Sequence, residues 1–240
     1  MPIEDAVIVQ LINLENDVKY QEYAGNFEPE FLHVPGTVPI LISAPHGAKH
    51  LRDGENKEED EYTAGLARLV GERTGAHVIY ARRRSRTDPN FAMDAPYKKS
   101  LFQIAEENKI KFVLDLHGAK KDWDFGVALG TRYGKSCSDN ERKKIIDSFA
   151  RYKISENSKE KYRLDVDKKM PGFGNKDIET VIKFCQKKDI SAAQIEINAW
   201  LRIPERREDS SNNEPFSGDK AMIENLVNAL SDLVVSLSER

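Results

Sequence analysis

Apolar residues recur along this chain in short, β-branched runs separated by amphipathic stretches. That rhythm is expected of a parallel sheet covered by helices. Residues 38–42 and 111–116 are apolar enough to read as strands buried on both faces. Both lead into the same tetrapeptide, His46-Gly-Ala-Lys49 and His117-Gly-Ala-Lys120. Further strands are expected at 7–14, 31–34, 77–81, 124–131, 162–166 and 191–199. Helices are expected at 62–74, closed by Gly75, and at 97–108, 140–152, 177–188 and 220–237, with Asp177 as the N-cap of the fourth.

Histidines at the carboxyl ends of buried strands stand where open α/β sheets keep their ligand crevice. Two of them in matching contexts, with an acid from Glu59, Asp60 or Glu61, make the two-imidazole, one-carboxylate set of a catalytic zinc. The same acids also suit the first turn of helix 62–74, where they complement its dipole. Asp115 precedes His117 by two positions and shares its face, so it is placed to orient that imidazole. In the last strand, Gln194, Glu196 and Asn198 alternate with Ile195 and Ile197 and share one face. A carboxylate in mid-strand is expensive to bury without a partner, which singles out Glu196 as general base. Arg82 to Arg86 and Arg202 fall at the same sheet edge, where an arginine such as Arg82, Arg86 or Arg202 would polarise a carbonyl or hold a carboxylate.

The 240 residues suit one domain, 1–240. A net charge of −3 gives no support to general affinity for nucleic acid. No apolar run approaches the ~18 residues of a membrane span, and two distant cysteines suit a reducing compartment, so a cytoplasmic protein is expected. No serine sits in a G-x-S-x-G turn, Cys137 and Cys185 lack a basic, glycine-flanked setting, and the glycine-rich 170–175 loop lacks phosphate-loop spacing.

Five blocks in order resemble the N-formylglutamate amidohydrolase-like family: SAPHGA at 43–48, the acidic segment before Thr63, Leu66 and Ala67, RTDPN at 86–90, LDLHGA at 114–119 and QIEIN at 194–198. The resemblance spans about 38–202. It implies a three-layer αβα fold with a central mixed, mainly parallel sheet, of the phosphorylase/hydrolase-like, zinc carboxypeptidase-like type. It implies Zn2+ held by His46, His117 and an acid, with Asp60 matching best and Glu61 or Glu59 in reserve, and it matches Glu196 to the general base. Arg86 and Arg202 are expected to act in catalysis, and Arg82, Asp88, Asn90 and Asn175 to meet the substrate. One departure is plain: the family's Asp-x-Asn-Arg pattern reads Asp88-Pro89-Asn90-Phe91.

The function expected is a zinc amidohydrolase that cleaves a C–N bond in a small N-acyl amino acid. The alternatives are a carboxypeptidase-like peptidase or deacylase, and a non-catalytic binding protein on the same fold. Glu196 speaks against the last, because a structural metal needs no base.

Overall fold

The computed structural model describes residues 3–173 and 178–239. Seven strands form the central sheet: β1 (Phe31–Val34), β2 (Val38–Ala44), β3 (Ala76–Ala81), β4 (Phe112–Ala119), β5 (Val127–Gly130), β6 (Leu164–Val166) and β7 (Ser191–Asn198). Their spatial order is β6-β5-β7-β4-β2-β3-β1. The central β7, β4, β2 and β3 are mutually parallel. Antiparallel pairs lie towards the two edges, β1 on β3 and β5 on β7, and β6 continues parallel to β5.

Among the described residues six α-helices cover the sheet: α1 (Ile3–Glu15), α2 (Thr63–Thr74), α3 (Pro96–Glu107), α4 (Asp139–Arg151), α5 (Val181–Lys187) and α6 (Lys220–Ser238). Strand alternation divides two cores. Ile40 and Ile42, Leu114 and Leu116, and Ile195 and Ile197 share a core with α1, α2, α4 and α6. Leu41, Val113 and Ala192 share the other with α3 and α5. The result is the expected three-layer αβα arrangement with a mixed, mainly parallel sheet. Among the described residues no helix is long and apolar enough to cross a membrane.

Residues 7–14, expected as a strand, lie inside α1. Val7, Ile8 and Leu11 are buried while Val9 is 45% exposed, a helical spacing. Packing of α1 on α2 and α6 overrides the strand preference of its β-branched residues. The helix expected from Asp177 starts at Val181, capped by the Thr180 hydroxyl, and Asp177 lies outside the described residues. Capping also sets the start of α4, where Ser138 and Glu141 form a reciprocal capping box.

Register positions the site. Ser43 and Gln194 both pair with Asp115, and Glu196 pairs with His117. Two adjacent rows of polar side chains therefore cross the parallel strands near their carboxyl ends, on the α3/α5 face.

Candidate metal centre

His46 follows the end of β2, His117 stands near the end of β4, and Asp60 comes from the loop before α2. Their donor atoms form a triangle. His46 Nδ1 and His117 Nδ1 are 3.2 Å apart, and each is 3.4 Å from Asp60 Oδ2. Three donors on a tetrahedron with bonds of ~2.0–2.1 Å stand roughly 3.3 Å apart, so the spacing fits zinc. Asp60 is fastened there by its own amide, which donates to the His46 carbonyl at 2.8 Å.

Each imidazole is backed by a carboxylate. His46 Nε2 lies 2.9 Å from Asp88 Oδ1, and His117 Nε2 lies 3.0 Å from Asp115 Oδ2. A carboxylate only accepts, so the proton of each ring is held at Nε2 and the Nδ1 lone pair is free. Three acceptors then converge with no donor between them, an arrangement that calls for a cation. The same field acts on protons. Burial opposes charge on both rings, yet Asp88 and Asp60 outweigh it at His46, and Asp115 and Asp60 raise His117 well above the ordinary imidazole range. Burial likewise opposes ionisation of Asp60, but the two histidines hold its carboxyl far below the usual range.

The supports are themselves anchored. Asp115 is completely buried and takes the Ser43 hydroxyl at 2.8 Å on its other oxygen. The Tyr97 hydroxyl packs 3.0 Å from the Ser43 oxygen, accepting the Ala44 amide at 3.1 Å and donating to the Ile79 carbonyl at 2.8 Å. Asp88 accepts the amides of Asn90 and Phe91 at 2.9 and 3.0 Å and the Arg52 Nε–H at 2.5 Å. His50 is 2% exposed and stacks on His46, ring centroids 4.1 Å apart and 9° from parallel.

A cavity of about 480 Å³ opens beside the triangle, walled by Phe91, Met170, Phe173 and Glu196. Glu196 is half-buried and accepts from Gln194 Nε2 at 2.8 Å. Burial pushes its carboxyl up; His117 pulls the other way and Asp60 reinforces the rise. Arg52 also faces this cavity, and its terminal nitrogens make no hydrogen bond to a described residue. The chemistry available is therefore a cation site, a carboxylate base and a guanidinium around one hollow.

No family model matches the chain, and no curated protein matches it in sequence. Solved structures match it in shape. N-formylglutamate amidohydrolase from Ralstonia eutropha superposes over 88% of this chain and 97% of its own, with a TM-score of 0.58 at 15% identity. The chain has the N-formylglutamate amidohydrolase fold. A bacteriophage poly-gamma-glutamate hydrolase covers 87% of this chain and 89% of its own, with a TM-score of 0.52 at 14% identity. A candidate carboxypeptidase A from Shewanella denitrificans covers 97% of this chain and 69% of its own, with a TM-score of 0.51 at 12% identity.

On this N-formylglutamate amidohydrolase fold, several residues stand away from their expected places. Glu61 points from the histidines to Arg206, 3.1 Å away, and Glu59 takes the Ser211 amide at 2.6 Å, so Asp60 is the acid brought to the two histidines. Arg202 lies against Gly118 and donates to the carbonyls of Ile197, Glu61 and Ala119. Arg82 pairs with Asp17 at 2.9 Å, and Arg86 is exposed over the Tyr23 ring. None of these three arginines lines the cavity, and the acids of the N-terminal segment, Asp17, Glu22 and Glu28, neutralise much of the basic cluster. Asp88, expected to meet substrate, is instead the acceptor that backs His46. Asn90 does line the cavity, with its Oδ1 held by the Val181 amide at 2.7 Å, and Asn175 lies outside the described residues.

Arg52 and His50 escape a reading of the chain because their loop is rich in charge. A signal was present: His50 and Arg52 alternate with Leu51, the period of a strand, and 50–52 does pair with 55–57. Phe91, where the resemblance expects an arginine, carries the Arg52 guanidinium 3.7 Å above its ring.

Proposed function

We propose that this chain is a metal-dependent hydrolase that cleaves the C–N amide bond of a small N-acyl amino acid, with zinc as its metal. The reading is carried by one observation: three acceptor atoms 3.2–3.4 Å apart, with both imidazoles backed by carboxylates, beside the half-buried Glu196. His46, Asp60 and His117 would hold the zinc, whose Lewis acidity would lower the pKa of water towards neutrality. Glu196 takes a proton from the attacking water as its oxygen adds to the carbonyl carbon. It returns that proton to the nitrogen as the C–N bond breaks. A carboxyl raised by burial is a stronger base near neutral pH than an exposed one. Arg52, fixed by Asp88 and Phe91, offers its two terminal nitrogens to the substrate carboxylate.

A second reading, a peptidase acting on longer acyl groups, is favoured by one feature. A polar cleft of about 580 Å³ adjoins the centre at Asp60 and Gly118, far more room than a formyl group needs.

Elemental analysis of the purified protein, paired with hydrolysis of N-formyl, N-acetyl and dipeptide substrates, tests both. About one zinc per chain, lost in His46→Ala/His117→Ala, with amide hydrolysis, supports the hydrolase. Protein that takes up no zinc when incubated with it overturns the mechanism.

A further inference from the structure

Helix α2 begins without a cap of its own. Tyr62 occupies the N-cap with φ 65°, and its side chain makes no capping hydrogen bond. The residues leading into it form a tight turn, in which the Thr63 amide donates to the Asp60 carbonyl at 3.1 Å. Tyr62 holds the third position, where a type II turn needs the positive φ that glycine adopts most easily. Its bulk makes that conformation unfavourable unless neighbours enforce it. Asp60, the acid between the two histidines, is the first residue of this turn.

The enforcing group is Glu15, the last residue of α1. Its carboxylate is completely buried and accepts the Tyr62 amide at 2.9 Å, the Gly65 amide at 2.6 Å and the Tyr20 hydroxyl at 2.6 Å. It does for α2 what an N-cap side chain does, from a residue distant in sequence. Gly65 is what admits it, since a Cβ there would stand 2.7 Å from Glu15 Oε2. Arg207 closes the far side, donating to the Glu15 main-chain carbonyl and covering the Tyr20 ring at 4.4 Å.

We propose that Glu15 is a positioning residue for Asp60: by holding the left-handed turn at Tyr62, it sets the Asp60 carboxylate against His46 and His117. This rests on the reading of those three residues as metal ligands. Three donors converge on Glu15, and glutamine cannot replace the ionised carboxylate, because one of the two terminal atoms of glutamine is an NH2 that would face a donor. The test is the zinc affinity of Glu15→Gln, measured by competition with a chromophoric chelator, together with the visible spectrum of the cobalt-substituted protein. The dissociation constant is expected to rise about tenfold or more, as for other supports of metal ligands, and the cobalt bands to change in intensity. Leu226→Ala, a core substitution in α6, is expected to lower Tm while leaving zinc affinity and the cobalt spectrum as in the wild type. Should Glu15→Gln not fold, Gly65→Ala, whose methyl presses on the same carboxylate, must show the same weakening. Wild-type affinity and spectrum in whichever of these variants folds overturns the proposal alone. A wild-type protein that binds no zinc overturns it together with the metal reading.

Discussion

Replacing Asp88 by asparagine separates the candidate metal centre from its support without touching a proposed ligand. Asp88 Oδ1 meets three donors, His46 Nε2 and the amides of Asn90 and Phe91, whereas Oδ2 meets Arg52 Nε at 2.5 Å and lies 3.4 Å from His50 Nε2. Asparagine has one acceptor oxygen, which the three donors draw to their side. Its NH2 then faces the Arg52 Nε–H, donor against donor. His46 keeps a hydrogen bond but loses a charged acceptor, and Arg52 loses its anchor. A hydrogen bond to a charged group contributes about 1.5–3 kcal/mol and a neutral one about 0.5–1.5, so the loss at His46 is roughly 1–1.5 kcal/mol. That corresponds to zinc binding weaker by about 5–15-fold. Chelator competition measures this directly. Kinetics at saturating zinc should add a raised KM for substrates bearing a carboxylate, because Arg52 is released. Zinc affinity within about twofold of wild type and an unchanged KM, in a variant of native circular dichroism, would refute the role given to Asp88.

Glu196→Gln is expected to keep zinc and fold while kcat falls by roughly 10²–10⁴, and near-normal turnover would remove Glu196 as the base. Because burial raises the Glu196 carboxyl and the ionised form is the base, the acid limb of kcat/KM should lie above the ordinary glutamate range; a limb within that range counts against it. Glu15 is pushed up to about 7 by burial, although Tyr20, Gly65 and Tyr62 hydrogen-bond its charged form. Its folded pKa thus exceeds its unfolded one, so the stability it confers is complete below pH ~4.5 and is lost as pH rises through about 7, by roughly 3 kcal/mol. Urea denaturation across that range should show a loss in the wild type that is absent from Glu15→Gln, and parallel profiles would refute the assignment.

Strand position and strand face were legible in the chain. A strand buried on both faces must be largely apolar, so the runs at 38–42 and 111–116 announce themselves, and a period of two puts Gln194, Glu196 and Asn198 on one side whatever the surroundings. Histidines that end two such strands then have to lie at one sheet edge once the strands are parallel neighbours, as β2 and β4 are. Tertiary structure decided the rest, because local pattern carries no information on partners. The β-branched 7–14 run is helical since α2 and α6 offer it a surface to pack on. By residue type alone Glu59, Asp60 and Glu61 are interchangeable, and the resemblance ranked Asp60 first by its spacing from Thr63; the backbone path through the left-handed Tyr62 turn aims Asp60 at the histidines while its neighbours meet Ser211 and Arg206. The basic run at 82–86 is drawn off by Asp17, Glu22, Glu28 and Tyr23, and the guanidinium at the cavity comes instead from Arg52. Periodicity determines which face a side chain takes; which charge it meets depends on segments distant in sequence that only the folded chain brings together.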